Sequence, residues 1–323
     1  VRYLAEVKNK SELISSVDFA DERGLPIFVL GGGSDILISD NKFQGVVIKY
    51  LGKDITFKTE RQNIYVTSEA GVTWDDLVKT AVDKNLQGIE CMSGIPGTVG
   101  ASPIQNIGAY GQELKDVFDI VTVYDVKRHR FRTFSEKECN FSYRESMFKK
   151  PRNKGRYIIT DITLKLRKNS TPTLTYESLK NYLREKKIKN PTLKNVRSAV
   201  LELRGQKLDD PKVIGNAGSF FKNPIVDNKT LKKLLAKYPG IPFHPADPKS
   251  VKLFAGWLIE RTGWKGKKYK NTQVSEKNAL VITNPDGKAT AKEIKELADN
   301  ISDDVYKKFG VRLVPEVQYI GFE

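Results

Sequence analysis

An α+β protein with more than one compact unit is the fold class this sequence predicts, on three observations. Its 323 residues exceed the roughly 250–300 at which a single hydrophobic core stops growing. Short apolar strand runs and helical periods both occur, without the steady strand-helix alternation of a doubly wound sheet. Hydrophobic residues make up 39% and charged residues 29%, which is the balance of a soluble enzyme and neither a disordered nor a membrane composition.

Taken in order, Ser11 to Arg23 has a helical period, with Ser11 as N-cap and Gly24 as stop, and Ile27-Phe28-Val29-Leu30 is an apolar strand. A glycine loop, Gly31-Gly32-Gly33-Ser34-Asp35, leads into Ile36-Leu37-Ile38, and a strand pair returns at Val46-Val47-Ile48. Ile64-Tyr65-Val66 is a strand, Trp74 to Asn85 a helix, and Ser93 to Gly111 a long glycine-rich segment. Strands resume at Ile120 to Tyr124 and at Tyr157 to Leu166, where Ile158, Thr160, Ile162, Leu164 and Leu166 share a face. Charge and a proline interrupt this rhythm at Arg167 to Pro172, the expected domain change. Helical patterns follow at Ser178 to Arg204, Thr230 to Lys237, Ser250 to Glu260 and Thr290 to Phe309, with a final strand at Arg312 to Ile320.

Composition excludes several classes. No apolar run reaches membrane-spanning length, and the chain opens Val1-Arg2-Tyr3 without an export address, so an intracellular, cytoplasmic protein is expected. Cys91 and Cys139 lack the spacing of a metal knuckle or redox pair and read as buried free thiols; His129 and His244 belong to no ligand-spaced cluster. No metal is expected. The net charge of +16, from 55 Lys plus Arg against 39 Asp plus Glu, suits a nucleic acid, an acidic surface or a small polyanion, and its sign does not choose among them.

Chemistry concentrates in five segments. The loop Gly31 to Asp35 follows a strand but lacks the third glycine and the helix of a dinucleotide fingerprint; it is either a backbone nest for a pyrophosphate or a plain tight turn. The segment Ser93 to Gly111 contains no charged side chain, so it is either a structural connection or the bed of an uncharged heterocycle such as a flavin ring, read by backbone amides, Gln105 and Asn106. Ser219, in Asn216-Ala217-Gly218-Ser219, reads by itself as a turn or cap serine without a histidine to activate it. Glu316, in Leu313-Val314-Pro315-Glu316-Val317, is paired, exposed at an edge, or tuned for proton transfer. Tyr143-Arg144 supplies the fifth cluster.

Together and in this order the segments resemble the UDP-N-acetylenolpyruvoylglucosamine reductase family, also called UDP-N-acetylmuramate dehydrogenase. Ile95-Pro96-Gly97-Thr98-Val99-Gly100-Ala101-Ser102-Pro103-Ile104-Gln105-Asn106-Ile107-Gly108-Ala109-Tyr110-Gly111 is similar to its flavin loop, and Gly215-Asn216-Ala217-Gly218-Ser219-Phe220-Phe221-Lys222-Asn223-Pro224 to its proton-donor loop. Leu30 to Ser34, Tyr143-Arg144-Glu145-Ser146 and Pro315-Glu316-Val317 complete the set, and Thr173-Leu174-Thr175-Tyr176 resembles the tyrosine loop that folds over substrate in one subgroup. The resemblance implies an FAD-binding domain of two α/β subdomains with a vanillyl-alcohol-oxidase-like flavin fold over residues 1–168. It implies a connecting segment with the covering loop over 169–206. A smaller C-terminal α+β substrate domain follows over 207–323, its last strand packing back near the flavin.

By the same resemblance FAD is bound non-covalently by Gly31, Gly32, Gly33, Ser34, Asp35, Ile95, Pro96, Gly97, Gly100, Ala101, Ser102, Gln105, Asn106, Gly108, Ala109 and Tyr110. Tyr143, Tyr176, Arg204, Lys207, Lys222 and Asn223 hold the UDP-linked sugar. Hydride passes from the flavin to the enolpyruvyl group, Ser219 gives the proton, Arg144 and Glu316 stabilise the developing charge, and NADPH is the electron source. No nucleic acid, no membrane insertion and a monomer are implied. Asp35 stands where the family usually has Asn, Gln318 where some members have a basic residue, and Asn278 where Gln or His is usual; the chain also begins inside the family's first element.

Three rivals stand beside this reading. Another flavin oxidoreductase on the scaffold, with covalent FAD, is disfavoured because neither histidine lies in a glycine loop. A nucleic-acid-binding protein would use the basic run Arg184 to Arg197, which lacks stacking aromatics and reads as a solvated helix face. A non-catalytic nucleotide-sugar-binding protein follows if Ser219 and Glu316 do not converge.

Overall fold

The computed structural model describes residues Val1–Phe322. The chain forms two compact units, one of Val1–Gly33 and Lys42–Arg204, the other of Ser34–Asn41 and the chain from Gly205 onward.

The first unit contains a three-stranded parallel sheet and a six-stranded antiparallel one. In the parallel sheet Val46–Tyr50 is central, with Tyr3–Val7 and Ile27–Val29 on its two sides. The helix Lys10–Glu22 supplies the crossover and buries Leu13, Val17 and Ala20, one stripe at helical spacing. Its N-cap is Asn9 and not the expected Ser11. Asn9 Oδ1 accepts from Glu12 N at 2.9 Å while the Glu12 carboxylate takes Lys8 N at 2.7 Å, a reciprocal pair that starts the helix earlier.

The antiparallel sheet runs Arg130–Ser135, Phe118–Asp125, Tyr157–Lys168, Asn63–Glu69, Ile55–Glu60, with Leu86–Gln87 paired to the end of the long strand. Its register sets Val121 opposite Ile162 and Leu164 opposite Val66, so the alternation read in the sequence becomes a buried face. Against it lies the core that includes the helix Trp74–Asp83, whose Trp74, Leu77, Val78, Ala81 and Val82 are buried. Complete burial of such side chains is worth about 1.5–3 kcal/mol each before the entropy cost of ordering them. The stretch Ser178 to Arg204 is two helices, Glu177–Glu185 and Leu193–Lys207, because Pro191 stands just before the second.

In the second unit the strands Gly215–Ser219, Val281–Asn284, Thr272–Val274 and Lys268–Tyr269 form an antiparallel sheet in that order. Ser250–Leu253 is the middle strand of a second sheet, between Ile225–Asp227 and Phe243–Asp247, and the helix begins only at Ala255. The helical reading of Ser250 to Glu260 is thereby corrected, since alternate burial of Val251 and Leu253 between two partners outweighs local propensity. The helix Ala291–Phe309 starts at a Thr290–Glu293 capping box, stops at Gly310, and buries Leu297, Ala298, Ile301 and Val305. Asp40 adds to its start by accepting from Ala291 N at 2.9 Å and Lys292 N at 3.3 Å.

Ile36–Ile38 does not pair with Val46–Ile48 as its position after the glycine loop suggests. It runs parallel to Gln318–Ile320 in the second unit. The final strand is accordingly these three residues, preceded by a single bridge at Pro315, a residue without an N–H to give a ladder.

Among the described residues no helix is long and apolar enough to cross a membrane. Cys91 and Cys139 are free and buried, and burial pushes both thiols up. The basic run is largely engaged with carboxylates: Arg184 with Glu177, Lys186 with Glu202, Lys194 with Asp83, and Arg197 with Asp75.

Candidate active site

The uncharged segment Ser93 to Gly111 is a stitched loop in the first unit. Gly97 O accepts from Trp74 N at 3.0 Å, Val99 N donates to Val72 O at 2.8 Å, and Gly100 N to Ala70 O at 3.0 Å. The loop Gly31 to Gly33 crosses it backbone on backbone. A Cβ on Gly32 would lie 2.6 Å from Gly97 Cα, closer than real Cβ contacts come, so the crossing itself demands glycine. Gly31 approaches less closely and meets side chains only: a Cβ there would lie 3.0 Å from Thr98 Oγ1 and 3.1 Å from Ala101 Cβ.

The two amides in the loop have different fates. Asn106 is fully buried and spent on the chain: it donates to Glu113 at 2.9 Å and Ser142 O at 3.1 Å and accepts from Lys115 N at 3.0 Å. Gln105 keeps a buried Oε1 with no hydrogen-bond partner among the described residues. A buried acceptor of this kind costs about 1–3 kcal/mol unless a donor meets it, and a flavin ring N–H is such a donor. Ser102 is also inward, giving its hydroxyl to Val99 O at 2.7 Å.

Arg144 joins this loop. Its Nη2 donates to Gly108 O at 3.1 Å, and it sits at the tip of a tight turn closed by reciprocal Ser142 and Glu145 backbone bonds of 3.1 Å. Ser146 Oγ holds the same segment to Ile104 O at 2.5 Å. Asn106, Tyr110 and Arg144 are all left-handed, with φ of 47°, 47° and 55°. Non-glycine residues in that region cost of order 1–3 kcal/mol each, and such strain gathers at ligand sites.

Beside the loop, the Tyr110 and Tyr176 rings meet edge-on with centroids 5.4 Å apart. Arg204 is half-buried on the helix Leu193–Lys207, near Gly94 and under the fields of Tyr110 and Asp75. Desolvation lowers the affinity of its guanidinium for a proton, which is the state of a buried cation suited to an anionic ligand. Asp75 fixes the entrance of the loop. It accepts from both Arg197 nitrogens at 2.6 and 2.7 Å and from Gly94 N at 2.6 Å.

The second unit pairs the segment that follows Ser219 with the segment that carries Glu316, from stretches almost 100 positions apart. Glu316 N donates to Phe220 O at 2.8 Å, Phe221 bridges Pro315, and Lys222 N donates to Val314 O at 3.0 Å. Phe220 N is tied on the other side to Leu280 O at 2.7 Å, so the segment runs between two neighbours. Ser219 is half-buried and its hydroxyl makes no hydrogen bond among the described residues. Asn223 Oδ1 caps the helix Ala255–Arg261 through Ala255 N at 2.9 Å. Lys207 is exposed at the end of its helix. Ser34 and Asp35 lie in this unit as well, with Asp35 O accepting from Gln318 N at 3.1 Å.

Residues 206–320 match the C-terminal domain of UDP-N-acetylenolpyruvoylglucosamine reductase, and residues 1–127 match an FAD binding domain. The UDP-N-acetylenolpyruvoylglucosamine reductase of Pseudomonas aeruginosa is 39% identical over 316 residues, covering 98% of this chain and 92% of its own. That of Bdellovibrio bacteriovorus is 43% identical over 297 residues, covering 91% and 86%. The chain belongs to the UDP-N-acetylenolpyruvoylglucosamine reductase family.

The crystal structure of the Thermus caldophilus UDP-N-acetylenolpyruvylglucosamine reductase shares the fold, with a TM-score of 0.67 at 24% identity over 98% of this chain and 91% of that one. As a member of the reductase family the chain is an FAD-containing oxidoreductase. The glycine crossing and the unmet Gln105 acceptor fit that cofactor.

Sequence reasoning passed over one set of polar residues in this reductase: the buried Glu90 and Gln112, both of which bond to the half-buried Thr173. The signal available was Glu90 itself, the last carboxylate before a long uncharged stretch.

Proposed function

We propose that this chain reduces UDP-N-acetylglucosamine enolpyruvate to UDP-N-acetylmuramate at the expense of NADPH, a step in peptidoglycan precursor synthesis carried out in the cytoplasm. The observation that supports the proposal is the backbone pairing of 220–222 with 314–316, which joins the segment that follows Ser219 to the one that carries Glu316. Bound reduced flavin supplies hydride to the terminal carbon of the enolpyruvyl group.

The chain's own residues do the rest. Negative charge then spreads over the adjacent carbon and the substrate carboxylate; Arg144 offsets it with a fixed guanidinium held on the flavin loop by Gly108. Ser219 Oγ–H gives its proton to that carbon. The developing carbanion is a far stronger base than an imidazole, so the hydroxyl needs no activating histidine, and the absence of a triad ceases to count against it. Glu316 acts as a carboxylic acid or as relay partner to the same centre. Tyr176, Arg204, Lys207, Lys222, Asn223 and Tyr143 hold the uridine diphosphate part, the cations by charge-assisted bonds to phosphate oxygens. NADPH and sugar use one pocket in turn, and the enzyme works as a monomer without nucleic acid.

Purified protein is expected to be yellow, with a flavin absorption spectrum, and to oxidise NADPH steadily only when the enolpyruvyl UDP-sugar is supplied. A colourless protein with tight, salt-sensitive DNA binding would overturn the proposal.

A further inference from the structure

Thr173, three residues before the tyrosine assigned above to the substrate, is held at every polar atom. Its N–H donates to Glu90 Oε1 at 2.8 Å, and its hydroxyl accepts from Gln87 Nε2 at 2.9 Å and Gln112 Nε2 at 3.1 Å. Its carbonyl accepts from Cys91 Sγ at 3.2 Å. The holders are in turn fixed. Glu90 is fully buried and takes Gly88 N on its other oxygen at 2.8 Å; Gln112 is buried and takes Cys91 N at 2.8 Å. From this knot the chain runs by Leu174 and Thr175 to Tyr176, whose ring meets Tyr110 at the end of the flavin loop. Leu179 and Leu183 of the helix that follows pack with Cys91.

Three features make this more than a satisfied core. A carboxylate without a salt bridge among the described residues is buried solely to receive two backbone N–H groups, a costly arrangement in a low-dielectric interior unless position is at stake. All four holders lie in Gln87–Gln112, the segment that contains the flavin loop. Between Thr173 and Tyr176 the chain makes no hydrogen bond among the described residues: Thr175 is exposed and Leu174 only packs.

We infer that Glu90 and Gln112 are positioning residues, which pin Thr173 to the flavin-loop segment so that the short tether Leu174–Thr175 delivers Tyr176 onto the UDP-sugar at a fixed height above it. The inference rests on the proposed function for the role of Tyr176. Glu90 touches neither substrate nor cofactor in this scheme and acts through Thr173.

The test compares Thr173→Val, Thr173→Ser and Glu90→Gln as holoenzymes. Valine keeps the shape and removes the acceptor of two amide donors; serine restores it; glutamine presents an N–H₂ where one backbone N–H needs an oxygen. For Thr173→Val and Glu90→Gln the KM for the enolpyruvyl UDP-sugar should rise roughly tenfold, as loss of one charge-assisted or doubly used hydrogen bond implies. Flavin reduction by NADPH in a single turnover should stay within about twofold. Thr173→Ser should return the KM toward the unmodified value. Backbone amide exchange should quicken over 174–180 and remain unchanged over 94–111.

Loss of both half-reactions together, loss of FAD, or faster exchange spread across the flavin loop would mean that the knot is ordinary core, and the inference falls. An unchanged KM with unchanged exchange overturns it too. Should the unmodified protein fail to turn over the sugar, the proposed function fails, while the exchange contrast still judges the pin by itself.

Discussion

Two glycine-bearing loops, one in each unit, reach the same residue type for opposite reasons. Gly32, in the first unit, is required for space: a Cβ would strike Gly97 Cα at 2.6 Å. Gly218, beside Ser219 in the second unit, has open room around it and is required for conformation, with φ +70°. The difference extends to the surroundings. The flavin loop is stitched by backbone bonds to 70–74 and by the committed side chain of Asn106. The serine segment is fixed by strand bonds and by Asn216, whose side chain accepts from Gly218 N at 3.0 Å and donates to Ile214 O at 2.8 Å, while the Ser219 hydroxyl stays uncommitted among the described residues. One region spends its side chains on its own framework, while the other leaves a hydroxyl without a partner among the described residues.

The largest expected effect breaks the second region without touching the first. Ser219→Ala removes only the hydroxyl proposed above as the proton donor. Turnover of the enolpyruvyl sugar should fall by roughly 10²–10⁴-fold, the usual weight of a positioned general acid. Single-turnover reduction of the flavin by NADPH should be nearly intact, because that half-reaction does not use the proton. Stopped-flow absorbance of each half-reaction separately decides it; equal damage to both argues against the role.

The next contrast sets the glycines against each other. Gly32→Ala forces two backbones apart and should cost about 1–3 kcal/mol of stability, as overpacking does, together with much of the FAD content of the purified protein. Gly218→Ala has no clash and only the left-handed penalty, about 1 kcal/mol; it should retain FAD and lose sugar turnover through displacement of Ser219. Flavin-to-protein absorbance ratio and thermal midpoint, measured on both variants, distinguish the cases. Similar FAD retention in the two would refute the assignment of space to one and conformation to the other.

Much of this contrast was legible in the sequence, though unevenly. The helix Trp74–Asp83 and the strand Tyr157–Lys168 announced themselves because their burial pattern is local and periodic. The union of Ile36–Ile38 with Gln318–Ile320 was not legible, since three apolar residues carry no record of a partner about 280 positions away. Ser250–Leu253 failed for the same reason: its strand character comes from two neighbours and not from its own propensity.

Site residues divide along that line too. Order and spacing of whole segments pointed to Ser219, Arg144 and Glu316 by family likeness, whereas residue chemistry alone left Ser219 a turn serine. Glu90, Gln112 and Thr173 were missed because a polar residue is recognisable as a buried anchor only when its partners are seen.

The smallest effect sharpens what holds the flavin loop in place. Asp75 joins the loop at Gly94 to Arg197 on the helix Leu193–Lys207. Burial by itself would raise its pKa, yet the bonds from Arg197 and Gly94 N–H and the charges of Arg197 and Arg204 hold the carboxyl below its ordinary value. A folded-state pKa depressed below the unfolded one stabilises above the unfolded value, near pH 4, and that contribution disappears as pH falls through the folded value. Asp75 is 37% exposed, so solvent screening limits the contribution to about 1 kcal/mol. Asp75→Asn should therefore lower the thermal midpoint by roughly 2–4 °C at pH 7 and converge with the unmodified protein as the pH drops below 4. Persistence of the full difference at the lowest pH at which the fold survives would show that the amide disturbs packing, and that the ion pair is not what ties the loop to the helix.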